Sequence, residues 1–209
     1  DVYKRQTALR LQGVEQGLLG ILPAQKTCKP THGRVPRANR GDAESPIMNA
    51  MSITIKTGAD IDAMRIAGRL ASEVLDFLTP HVQPGITTEA LDKLAHDYMV
   101  DVQGTIPAPL NYAPGGHAPY PKSICTSINH QVCHGIPNDR ALKDGDIINI
   151  DITVIKDGWH GDTSRMFVVG NGSIAAKRLC AHTYEAMWKG IAKVRPGARL
   201  GDIGHTIQT

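Results

Sequence analysis

Apolar residues recur at Ile61, Met64, Gly68, Ala71, Leu75 and Leu78. Steps of three and four place them on one stripe of a helix, which Thr79-Pro80 ends. Val82-Gln83-Pro84-Gly85 then breaks the chain. A second helix is predicted from Thr87-Thr88, two residues suited to an N-cap, with Leu91, Leu94, Ala95 and Tyr98 on its apolar side. Residues 105–121 hold five prolines and two consecutive glycines and read as a loop. Strands are predicted over 124–132, with a turn near Asn129, and over 147–155 and 159–169. A third helix covers 174–193, with Leu179, Thr183, Ala186, Met187 and Ile191 on one face.

The pattern starts twice. Val82-x-Pro84-Gly85 returns as Val194-x-Pro196-Gly197, 112 residues on, and the same shift carries the first helix onto the third. A fourth helix is expected from Leu200. Coincidence is the alternative, since Pro-Gly after a helix is common; if the repeat is real, the fold class is α+β with a first pseudo-repeat complete and a second holding its two helices but not its strands. Residues 1–50 behave differently: from Lys26 to Arg37 no apolar face of either period appears. They read as a disordered or artefactual leader, and Asp1-Val2-Tyr3-Lys4-Arg5-Gln6 looks like a translated sequencing adaptor. The organised domain is expected over 51–209.

Composition narrows the class without naming a function. The 209 residues are 41% hydrophobic and 21% charged, which suits a globular domain with a real core. No run of about 18 apolar residues exists to cross a membrane. A net charge of +3 is too small to argue for nucleic acid by itself, and 4% aromatics are few for a stacking surface. The four cysteines accompany no secretory signal, so reduced thiols and a cytoplasmic setting are expected.

The richest chemistry lies between Asn149 and Ser164. Along the first strand, Ile148, Ile150, Ile152 and Val154 point one way and Asn149, Asp151 and Thr153 the other. Asp157-Gly158 is a two-residue hairpin signal. That turn sets Thr153 opposite Asp162 and Asp151 opposite Ser164, so the two aspartates share a face one diagonal step apart. Two carboxylates so placed repel, and a cation between them is the usual remedy. Exposure of both to solvent is the alternative. Oxygen donors favour manganese, iron(II), cobalt or magnesium over a thiolate zinc centre.

A second group is Cys133-His134-Gly135-Ile136-Pro137. His134 is either structural or chemical, and its spacing with Cys125 and Cys133 matches no zinc finger or ribbon. His160 shares the Asp162 face and is a further ligand or partner candidate. Tyr112, His117 and Tyr120 lie in the proline-rich loop, where they either wall a pocket or face water.

Together these segments resemble the bacterial type I methionine aminopeptidases. The resemblance runs from about Met51 to Thr209 and includes Met64-Arg65-Ile66-Ala67-Gly68-Arg69, Tyr120-Pro121-Lys122-Ser123 and Val132-Cys133-His134-Gly135-Ile136-Pro137. It continues through Gly145 to Asp151 and through His160-Gly161-Asp162-Thr163-Ser164. An aspartate pair eleven positions apart is shared with prolidases and creatinases, whereas the Tyr120 and His134 segments are particular to this family.

The resemblance implies the "pita-bread" fold and removal of the initiator methionine from nascent polypeptides. It implies two divalent metal ions (Co, Mn, Fe or Zn), with Asp151 chelating one and Asp162 bridging both. His134 would be catalytic and substrate-binding, just outside the metal shell. Tyr120, Cys125 and Tyr112 would line the methionine side-chain pocket. The expected partners are nascent N-termini and the ribosome surface, with a monomeric enzyme and no membrane. The loop from Leu110 to Pro119 is longer than in enteric-type members, and the family's remaining ligands, a His and two Glu, are expected beyond Thr209 along with a second catalytic His. On that reading the chain as written is an inactive portion of the catalytic domain. Two rival readings are a non-enzymatic pita-bread binding module and a relative that cleaves before proline.

Overall fold

The computed structural model describes residues 54–209; the expected leader, residues 1–50, lies outside them. Helix α1 (Gly58–Leu78) opens three residues before Ile61 because Thr57 and Asp60 form a reciprocal cap. The Thr57 amide donates to Asp60 Oδ2 at 2.8 Å and the Asp60 amide to Thr57 Oγ1 at 3.3 Å. Ile61, expected on the core stripe, is 41% exposed; burial begins at Ala67 and continues through Gly68, Ala71, Val74, Leu75 and Leu78. A 3₁₀ turn (Thr79–His81) and the Pro84-Gly85 break lead to α2 (Thr88–Asp97), capped by the Thr87 hydroxyl, which accepts from the Ala90 amide. A π-helical turn (Tyr98–Val102) follows, and Tyr98 stacks on Phe77 of α1 with centroids 4.3 Å apart.

Four antiparallel strands form one sheet: β1 (Ile106–Pro107), β2 (Cys125–Ile128), β3 (Ile147–Lys156) and β4 (Trp159–Val168). β3 is central. β4 pairs along its whole length, while β2 and β1 divide its other edge. The alternation along β3 is realised: Ile148, Ile150, Ile152 and Val154 are fully buried in a core shared with Ala71, Val74, Leu75, Leu78, Leu91 and Ala95. The strand expected over 124–132 is shorter. It stops at Ile128 because Asn129 takes a left-handed conformation (φ 54°), and Val132 is 94% exposed. Asn129 is held there by Asp146, whose Oδ1 accepts from Asn129 Nδ2 at 2.8 Å.

The second helix pair is α3 (Ile174–Ile191) and α4 (Leu200–Gln208), at the positions the 112-residue shift predicts. The two pack through Gly190, where a Cβ would press on Ile207 and Ile203. The expected apolar face of α3 is open: Leu179 is 60% and Met187 42% exposed.

Candidate active site

The hairpin between β3 and β4 sets the site. Asp157 and Gly158 both have positive φ (49° and 85°), the geometry of a two-residue turn whose twist matches the strands. Its register places Asp151 opposite Ser164 and Thr153 opposite Asp162, as the turn position requires. β4 can lie close to α1 only because residue 161 is glycine: a Cβ there would overlap the Ala67 carbonyl. Gly161 thus fixes the depth at which its neighbour Asp162 is presented.

On the other edge of β3, Cys125 pairs directly with Asp151. One face therefore carries Cys125, Asp151 and Ser164 in a row, with Asp162 diagonal to Asp151. Burial pushes the Asp151 carboxyl above its ordinary value, and the adjacent Asp162 carboxylate adds to the shift, while His134 opposes it. Asp162 is the more exposed of the two. Burial likewise raises the Cys125 thiol, with the charges of Asp151, Cys133 and Asp162 contributing, so it stays protonated and unreactive. The Tyr120 phenol is raised by burial and by its contact with Cys125, and remains a hydrogen-bond donor at all ordinary pH.

His134 enters from the segment after β2. It is exposed and adopts a left-handed conformation (φ 54°), uncommon for a residue with a side chain. The next residue carries the attachment. The Gly135 carbonyl accepts from the Thr126 amide at 2.8 Å and from the Tyr120 hydroxyl at 3.1 Å, and its amide donates to Ser127 Oγ at 3.2 Å. No Cβ fits at residue 135, because it would overlap the Thr126 carbonyl. Tyr112 is 60% exposed, and its backbone carbonyl accepts from the Tyr120 amide at 2.9 Å across the base of the proline-rich loop. His160 is exposed on β4 opposite Ile155, on the Asp162 side.

One part of the site was missed from sequence. Three residues of α2 fasten the Lys122–Ile124 segment from beneath. Lys122 Nζ lies 2.6 Å from Glu89 Oε1, and the His96 ring is 2.8 Å from Ser123 Oγ. Between them, buried Asp92 accepts from the Ser123 and Ile124 amides at 2.8 and 3.1 Å. The signal was present as a polar Glu89, Asp92, His96 spacing of three and four, which puts all three on one side of a helix.

Asp151 and Asp162 fit a divalent cation as part of its donor set. They are oxygen ligands set side by side, and the raised Asp151 carboxyl marks a place where added positive charge relieves repulsion. Among the described residues, no group of three or more His, Cys, Asp or Glu gathers around a common point.

An antiparallel sheet backed by two helices, with paired aspartates on its open face, defines a class, and comparison with known proteins gives it a family. The chain belongs to metallopeptidase family M24, whose model matches residues 62–209. It is 59% identical over 159 residues to a methionine aminopeptidase of Rickettsia prowazekii (strain Madrid E), an alignment covering 76% of this chain and 59% of that protein. The crystal structure of a methionine aminopeptidase from Rickettsia prowazekii superposes with a TM-score of 0.71 at 59% identity, over 75% of this chain and 61% of that one. A prolidase from Pyrococcus furiosus shares the fold alone, with a TM-score of 0.62 at 16% identity over 74% of this chain and 41% of that one. The architecture is the pita-bread fold. The chain spans about three-fifths of the length of the curated relatives it matches. No described helix is long and apolar enough to cross a membrane.

Proposed function

We propose that the protein containing this chain is a methionine aminopeptidase that removes the initiator methionine from nascent polypeptides in the cytoplasm. The observation that carries the reading is that Asp151 and Asp162 share one face of the sheet with Cys125, with the His134 segment tied nearby through Tyr120 and Gly135. The close likeness to a methionine aminopeptidase over 76% of the chain supports it.

Asp151 and Asp162 would supply oxygen donors to two divalent ions (Co, Mn, Fe or Zn). When bound, such ions polarise a peptide carbonyl and lower the pKa of water. The chain's own residues supply the rest. His134 presents its ring from outside the carboxylate pair, placed to hydrogen-bond the scissile amide and stabilise charge developing on it. Neutral Cys125 and the Tyr120 ring offer a partly buried surface to the methionine side chain, and Tyr112 closes its outer rim. The enzyme acts as a monomer near the ribosome surface, where new N-termini emerge.

Substrate choice tests the reading. The intact protein, supplied with cobalt or manganese, should release methionine from Met-Gly peptides and leave X-Pro peptides uncut. Preferential cleavage before proline would assign it to the prolidase-like branch, and no cleavage of either with metal bound would favour a binding module.

A further inference from the structure

His134 sits exposed, in a left-handed conformation that side-chain-bearing residues adopt at a cost of about 1 kcal/mol or more. Something must hold it, and its own side chain makes no hydrogen bond to do so among the described residues. The tether is one residue away. The Gly135 carbonyl takes two donors, the Thr126 amide from β2 and the Tyr120 hydroxyl from the proline-rich loop. The same hydroxyl lies 3.2 Å from the Ile124 carbonyl, so it is shared between the carbonyls of Ile124 and Gly135. Ile124 is itself immobilised: it is fully buried and its amide donates to Asp92 of α2. A continuous path of hydrogen bonds thus runs from α2, through Asp92 and Ile124, to Tyr120 and on to Gly135.

We infer that the Tyr120 hydroxyl is a positioning group that ties the His134 segment to the α2-anchored start of β2, and so sets where the His134 ring stands over the carboxylate pair. This rests on the aminopeptidase reading and adds to it, because a residue that only walled the methionine pocket would need its ring and not its hydroxyl. The ring and the hydroxyl have separable duties. The ring offers surface to the pocket, while the hydroxyl, which also contacts the Cys125 side chain, fixes the peptide beside the catalytic residue.

Tyr120→Phe in the intact, metal-loaded protein keeps the ring and removes the tether. The expected result is a fall in kcat for Met-Gly peptides of about 10- to 100-fold, as for a modest misplacement of a reacting group, with KM changed by less than about twofold. In a His134→Ala background, Tyr120→Phe should cause no further loss, since there is no ring left to misplace. Amide hydrogen exchange supplies a readout independent of turnover. The Thr126 and Gly135 amides should exchange at least about tenfold faster in Tyr120→Phe, while amides of β3 are unchanged. Unchanged kcat, a rise in KM alone, or an equal further loss in the His134→Ala background would overturn the inference. If the unaltered protein releases no methionine, the aminopeptidase reading fails, and the exchange rates still decide whether the tether exists.

Discussion

The two helix pairs are built from one pattern and end in different surroundings. In the first, Ala67, Ala71, Val74, Leu75 and Leu78 of α1 are buried against β3 and β4. The 112-residue shift carries these positions to Leu179, Thr183, Ala186, Met187 and Gly190 of α3, where only Gly190 is buried. Packing within each pair is conserved in volume rather than in residue. Leu78 goes with Leu91 and Ala95 in the first pair, whereas Gly190 goes with Ile203 and Ile207 in the second. The large residue lost at the Leu78 position is matched by a gain from Ala95 to Ile207 on the other helix. Periodicity and capping therefore suffice for the helix pair, while burial of its outer face depends on a sheet.

The largest effect is expected at Gly161. Gly161→Val should drive a side chain into the Ala67 backbone and cost about 3 kcal/mol or more, read as loss of a cooperative unfolding transition. A variant with unaltered stability would mean that β4 does not seat on α1 as described. Next in size, Leu75→Ala should cost about 2–5 kcal/mol in denaturant unfolding of the 209-residue chain. Its counterpart Met187→Ala should cost less than about 1 kcal/mol, because that side chain is already 42% exposed. Equal losses at the two positions would show that the α3 face is covered after all.

A smaller effect belongs to pH. Burial raises the Asp146 carboxyl, but the Lys143 amide, the Asn129 side chain and the Arg140 and Lys143 charges outweigh it, so its folded pKa lies below 3.8. A depressed carboxyl adds stability above its unfolded pKa and loses it as pH falls through the folded one. Asp146→Asn should therefore narrow the gap in Tm between neutral and acid pH, whereas an unchanged gap would remove Asp146 from the acid sensitivity of the first unit. The smallest effect sharpens the second unit. Gly204 lies within α4 with open space where a Cβ would go, so Gly204→Ala should stabilise by about 0.5–1 kcal/mol. A loss instead would reveal a neighbour on that face.

Much of the site was legible because strands and tight turns obey short-range rules. Asp157-Gly158 sets the β3–β4 register, and the register alone brings Asp151 and Asp162 to one face. The 112-residue echo located α3 and α4 for the same reason, since helix stripes and Pro-Gly breaks are local. What escaped was long-range or conformational. The early start of α1 depends on a Thr57–Asp60 cap that apolar spacing does not register. The premature end of β2 follows from a left-handed Asn129 pinned by Asp146, seventeen residues away. The α2 anchor at Asp92 joins residues more than thirty positions apart, and a buried aspartate between Leu91 and Ala95 looks like surface until its two amide donors are seen.

Above all, Asp151 and Asp162 are proposed to form the metal-holding core of a methionine-releasing site. The most direct test is to measure bound divalent metal and methionine release together, in the intact protein and in its Asp162→Asn variant. The unaltered protein should retain metal and release methionine from a Met-Gly peptide, and Asp162→Asn should lose both while keeping a cooperative unfolding transition. A variant with undiminished metal content and turnover would contradict the proposal.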